Sequence, residues 1–127
     1  MSTLRLTTIS NQSGSATVPS DTVINGSAKA WVSFNGTGTV AIRASFNVSS
    51  ITDNGTGLYT VNFTTAMPDA NYGWTGSVKD DGGSAPFLST APSASTPIYS
   101  TTQLKVQSWT YVGSQYDSSA VTVAIFR

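Results

Sequence analysis

Residues 28–64 read "AKAWVSFNGTGTVAIRASFNVSSITDNGTGLYTVNFT". Asn35-Gly36 and Asn54-Gly55 cut this stretch into three runs, and each run alternates apolar with polar residues. Asn-Gly between alternating runs is a strong hairpin signal, because both residues accept the backbone conformation of a tight turn. In residues 28–34, Ala28, Ala30, Val32 and Phe34 share one face, and Lys29, Trp31 and Ser33 the other. In residues 39–48, Val40, Ile42, Ala44, Phe46 and Val48 share a face opposite Arg43, Ser45 and Asn47. After the second tip, Tyr59, Val61 and Phe63 point inward. The pattern predicts a meander of three strands joined by two hairpins, each strand with one buried face.

The reading extends outward from there. "AMPDAN" (66–71) turns the chain, with Pro68-Asp69 supporting a tight turn. "YGWTGSV" (72–78) alternates again through Tyr72, Trp74, Gly76 and Val78. In "DDGGSAPFLSTAPSASTP" (80–97) the period is lost, which predicts a long loop or edge excursion, a place where function often sits. "TQLKVQSWTYV" (102–112) resumes strand character, "GSQYDSS" (113–119) turns, and "AVTVAIF" (120–126) is the last strand, with Val121, Val123 and Ile125 on one face. Upstream, "TLRLTTI" (3–9) alternates weakly and predicts a short strand or extended arm anchored by Leu4, Leu6 and Ile9. Residues 10–21 read as a turn-rich hinge, in which Pro19 disfavours a central strand. The expected organisation is an N-terminal arm and linker over 1–21, for attachment or subunit contact, and a β-body over 22–127. About six or seven mostly antiparallel strands predict an all-β sandwich or jelly-roll-like domain.

Composition agrees. The 127 residues suit one core. Ser and Thr make up nearly a third of them, and β-branched and aromatic residues carry most of the apolar content. Six Lys plus Arg balance six Asp, with no Glu, and no basic stripe marks a nucleic-acid partner. No apolar run is long enough to span a bilayer, so no membrane insertion is expected, and the N-terminus has no apolar signal core. Without Cys, the fold rests on packing, hydrogen bonds and subunit contacts.

The inventory of catalytic groups is poor. With no His, Cys or Glu, thiolate nucleophiles, Ser-His-Asp arrangements and the usual zinc sites are excluded. Asp80 and Asp81 are the only adjacent acids, and side chains of neighbouring residues diverge, so a paired-carboxylate glycosidase has little to build on. The same pair lacks the spacing of a calcium loop. "NGTGT" has neither the Lys nor the following helix of a phosphate loop. Asp53 and Asp69 read as turn residues that hydrogen-bond locally. No enzyme activity, cofactor or metal is expected.

Aromatic residues are the remaining resource. Trp109 and Tyr111 share a face with Lys105 and Gln107, opposite Leu104 and Val106, and either face can be the buried one. Exposed, such a face stacks on sugar rings or packs on a neighbouring subunit; buried, it is core. Trp31 lies opposite the apolar face of its own strand and is a candidate for a subunit interface.

"AKAWVSFNGTGTVAIR", "SFNVSSITDNGTG" and "YTVNFTTAMPDANY", within residues 28–74, resemble in sequence and order a domain at the C-terminal ends of tail fibres and other structural proteins of tailed phages, especially cyanophages and marine phages. "LRLTTISNQSGS" (4–15) is similar to the segment that precedes this domain, and "SSAVTVAIFR" (118–127) is similar in style to its end. The resemblance implies a sandwich-like domain, a virion location after assembly in the host cytoplasm, homotrimers and no catalytic residues. Two roles follow from it as expectations. One is a small tail-fibre or tail-tip protein that contacts host-surface polysaccharide through Trp74, Asp80, Asp81, Phe87, Tyr99, Trp109 and Tyr111. The other is a capsid decoration protein whose N-terminal arm (Leu4, Leu6, Ile9) attaches to other virion proteins.

Overall fold

A computed structural model describes residues 1–82, 84–90 and 97–127. In chain order its elements are β1 (Thr8–Ser10), β2 (Thr17–Pro19), α1 (Ser20–Gly26), β3 (Ala28–Asn35), β4 (Ala41–Phe46), β5 (Val48–Gly55), β6 (Leu58–Phe63), β7 (Gly73–Val78), β8 (Phe87–Thr90), β9 (Gln103–Trp109) and β10 (Val121–Phe126). Strands β4-β3-β10-β7 make one sheet, β5-β6-β9-β8 a second, and β1-β2 a small third. Every pairing is antiparallel.

The two larger sheets bury one shared core, and the result is an all-β sandwich. Alternation explains who is inside. Ala30, Val32 and Phe34 of β3 and Val121, Val123 and Ile125 of β10 meet Tyr59, Val61 and Phe63 of β6 and Leu104 and Val106 of β9. Phe34 and Tyr59 meet edge to face across the sheets at 5.1 Å. The Tyr59 hydroxyl donates to Asp117 Oδ1 at 2.8 Å, with the Gly36 carbonyl at 3.2 Å. Asp117 Oδ1 also accepts the Gly57 N–H at 2.6 Å. Gly57 has φ of 66°, and a Cβ there would stand 2.6 Å from the Ser108 carbonyl oxygen. Only glycine fits both the turn and the approach.

The expected three-strand meander is corrected. The hairpins form, but β3-β4 lies in one sheet and β5-β6 in the other. The chain changes sheets at Asn47, whose φ of 54° is left-handed. Asn tolerates that conformation, and its side chain holds the corner. Asn47 Nδ2 donates to the carbonyls of Lys29 (3.0 Å) and Thr65 (3.1 Å), and its Oδ1 accepts the Thr65 N–H (2.7 Å).

The expected inward face of residues 39–48 is corrected too. Ser33 pairs with Ala44 but Phe34 with Ile42, so Arg43 is one residue too many on β4. This β-bulge turns the following residues over. Ile42 packs on the core, whereas Phe46 is 56% exposed beside Trp31.

The long loop or edge excursion expected over 80–97 contains β8, the edge strand of the second sheet; Gly83 and residues 91–96 lie outside the described residues. The N-terminal linker is more structured than its composition implies. β1 pairs with β2, and α1 follows directly. Pro19 is tolerated because both strands of a two-stranded sheet are edges.

Candidate interaction surfaces

The inward position of Leu104 and Val106 settles which face of β9 is buried. Gln103, Lys105, Gln107 and Trp109 therefore belong to the outer face of the second sheet. Cross-strand register builds that face in rows. Ser50, Asn62 and Gln103 form one, and Thr52, Thr60 and Lys105 the next. Leu58, Gln107 and Ser89 form a third, in which Gln107 is buried, and Trp109 stands opposite Phe87 in a fourth. The first rows are a hydroxyl and amide network. Asn62 Nδ2 donates to Ser50 Oγ and Thr52 Oγ1, both at 3.0 Å, and Asn54 Nδ2 donates to Thr60 Oγ1 at 2.8 Å. The last row is aromatic: Phe87 is 51% exposed, and Trp109 is half-buried. Tyr111, just beyond β9, is 71% exposed.

Asp80 and Asp81 brace the loop beneath this aromatic end. Asp80 Oδ1 accepts the N–H groups of Gly82 and Ser84, each at 3.0 Å, and its Oδ2 accepts that of Ala85 at 3.1 Å. Those bonds hold Ala85 at a positive φ of 41°, two residues before β8. Asp81 turns the other way. Its carboxylate pairs with Lys79 at 2.5 Å and accepts the Ser119 N–H at 2.6 Å and the Ser119 hydroxyl at 2.8 Å. The Lys79 hydrogen bond, seconded by those from Ser119, holds the Asp81 carboxyl well below the usual carboxylate range. The Asp81 N–H donates to the Tyr116 hydroxyl at 2.9 Å, and the Tyr111 N–H to the Ser84 carbonyl at 3.3 Å. The two neighbouring carboxylates thus diverge, each engaged in its own turn, and do not form an acid–base pair.

Trp74 and Tyr99 stand apart from this group. Trp74 is level with Ile125 on the inward side of β7. Its Nε1 donates to the Tyr99 hydroxyl at 2.9 Å. Tyr99 packs on Tyr72 at 5.4 Å, and Tyr72 on Phe63 at 5.9 Å. Burial pushes the Tyr72 hydroxyl up to about 12. Tyr99 bridges to Leu104, at the end of β9 away from Trp109. At roughly 3.3 Å per residue the two ends are about 17 Å apart. The seven contact candidates therefore split: Asp80, Asp81, Phe87, Trp109 and Tyr111 gather at one end of the sandwich, and Trp74, packed on the core, and Tyr99, still 36% exposed, stand at the other.

The outer face of the first sheet is different. Register lines up Phe46, Trp31, Ala124 and Thr75, and beside them Ala44, Ser33, Thr122 and Ser77. Trp31 and its neighbours line an open trough of about 440 Å³ with no charged side chain in its wall. Trp31 is thus on an exposed face whose trough is mainly apolar. Sequence reasoning missed Phe46 there, because nothing in 39–48 marks the bulge.

A second trough, of about 400 Å³, lies in the N-terminal unit between the arm residues Leu4, Leu6 and Ile9 and α1 residues Val23 and Ile24. Arg5, Ser20 and Asp21 complete its wall. The sequence reading missed α1, although Pro19 before it, Asp21 in its first turn and Gly26 at its end are start and stop signals. Among the described residues, no helix is long and apolar enough to cross a membrane. No protein-family model, curated protein or solved structure matches the chain.

Proposed function

We propose that this chain is a non-enzymatic virion structural protein of a tailed phage, a small tail-fibre or tail-tip protein that contributes to recognition of host-surface glycan. The likeness of residues 28–74 to phage fibre-end domains supports the virion reading. The observation that carries the glycan reading is the Phe87–Trp109 pair with Tyr111, exposed at the end of a hydroxyl and amide face. Aromatic rings stack on the apolar faces of sugars, while the accessible Ser50, Thr52 and Asn62 groups exchange hydrogen bonds with sugar hydroxyls. The strands and the Asp80 and Asp81 braces hold the rings in place, so little conformational freedom is lost on binding. Each contact is weak, and a homotrimer sums several of them on a repeating polymer.

Soluble host polysaccharide should compete with particle adsorption. Trp109→Ala should weaken polysaccharide binding by about tenfold or more, from loss of one stacked ring. Unchanged adsorption at saturating polysaccharide would sink the glycan reading.

A second reading, capsid decoration, is favoured by the N-terminal unit, whose short strands β1 and β2 have free edges suited to strand addition. Immunogold labelling of intact particles separates the two. Gold on the tail supports recognition; gold over the head supports decoration, and deleting residues 2–10 should then abolish capsid attachment.

A further inference from the structure

We infer that residues 1–27 are a self-association module, and that a second copy of this chain covers the apolar trough between the arm and α1. None of these residues is buried. Leu4 is 82% exposed, and Leu6, Ile9 and Ile24 are exposed with it. The unit consists of two three-residue strands and a seven-residue helix. A lone two-stranded hairpin is marginal in water, and so is a helix of two turns. Among the described residues β1 and β2 pair only with each other, so no described ladder of the sandwich supports them. The unit needs apolar cover from outside itself.

The charges say which cover. Arg5 and Asp21 are the only charged side chains in residues 1–27, and both border the trough. The ion pairs among the described residues are Lys79–Asp81 and Asp69–Arg127, so Arg5 and Asp21 do not pair with each other. A surface with one charge of each sign around an apolar centre is complementary to itself. Around a three-fold axis, the proposal sets Arg5 of each copy beside Asp21 of the next while the leucines and isoleucines meet between them. A partner of one charge sign would leave one of the two unmatched.

This inference deepens the homotrimer invoked above and does not rest on glycan binding, because the Phe87–Trp109 end belongs to a different part of the chain. The test is the mass of the full chain in solution, by light scattering, from about 1 to about 100 μM. The wild-type chain should run at a multiple of 13.2 kDa. Leu6→Asp and Ile24→Asp should each give the single-chain mass, with the near-ultraviolet dichroism of the sandwich retained. Arg5→Asp or Asp21→Arg alone should weaken association by about tenfold or more, from like charges set face to face. The double swap R5D/D21R should restore it, which a merely misfolded arm would not do. A single-chain mass for the wild type overturns the proposal and returns the arm to another virion protein. A multiple mass that survives Leu6→Asp and Ile24→Asp but dissolves in Trp31→Asp overturns it in favour of the outer sheet face. Failure of the double swap to recover association overturns the pairing of copies.

Discussion

Tyr59 shows how one residue ties turns to core. Its ring lies in the core and its hydroxyl ends on Asp117, which also takes the Gly57 N–H. Burial, with the Asp117 hydrogen bond second, raises the hydroxyl well above its ordinary value, so it stays protonated and donates. Tyr59→Phe keeps the ring and removes the donor. It should cost about 1–2 kcal/mol in denaturant unfolding with an unchanged m-value. Asp81 gives a pH-dependent counterpart. Its folded carboxyl titrates below the ordinary value of 3.8, and that of Asp69, hydrogen-bonded to Arg127, is lowered too. In this case the unfolded chain binds more protons as pH falls, so the stabilisation is present above about pH 4–5 and lost below it. The unfolding midpoint should hold from neutral pH down to that point as far as these groups decide it, then drop. In Asp81→Asn the drop should be shallower; an identical drop would show that the Lys79 and Ser119 contacts are not formed in solution.

At the scale of the element, the bulge at Arg43 decides what faces the core. Phe34 and Phe46 both belong to apolar runs of the same hairpin, yet only Phe34 is buried. Phe34→Ala should cost about 3–5 kcal/mol and Phe46→Ala less than about 1 kcal/mol in the same unfolding measurement. Equal losses would mean that the two strands pair without the bulge. This is also where the sequence stops being readable. Period-two alternation placed β3, β6, β9 and β10, because each has one face in the core and a turn signal at its end. Nothing local distinguishes the outward Phe46 from an inward one, since the flip comes from pairing with Ser33 and Phe34 on another strand. The change of sheets at Asn47 depends on carbonyls at Lys29 and Thr65, each 18 residues away in sequence. β8 was legible only as one of two alternatives, a long loop or an edge excursion, because it is four residues long and Leu88 is its one residue packed on the core. The candidate surface was half legible: Trp109, Tyr111 and Phe87 are together, while Trp74 has the same composition signal and a different address.

Across the whole molecule, the surfaces divide the labour that the proposals require. The Phe87–Trp109 end is on the second sheet, the uncharged Trp31 trough on the outer face of the first, and the Leu6–Ile24 trough in a unit that shares no strand with either. Recognition and assembly should therefore be separable by mutation. Binding of the wild-type chain to immobilised polysaccharide should exceed its binding to a short soluble oligosaccharide by about 10²–10⁴, the gain expected when several weak sites act on one polymer. Leu6→Asp should remove most of that gain and leave the oligosaccharide affinity unchanged, because it touches only the module that joins the copies. Trp109→Ala should do the reverse, lowering affinity for both ligands while the mass in solution stays that of the assembly. Isothermal titration with the oligosaccharide and surface binding with the polymer give the two readings on the same preparations. If Leu6→Asp lowers both affinities equally, the arm is part of the sugar site and the division into surfaces is wrong. If Trp109→Ala dissolves the assembly, the aromatic end is an interface between copies, and the rings read here as a sugar platform are its core.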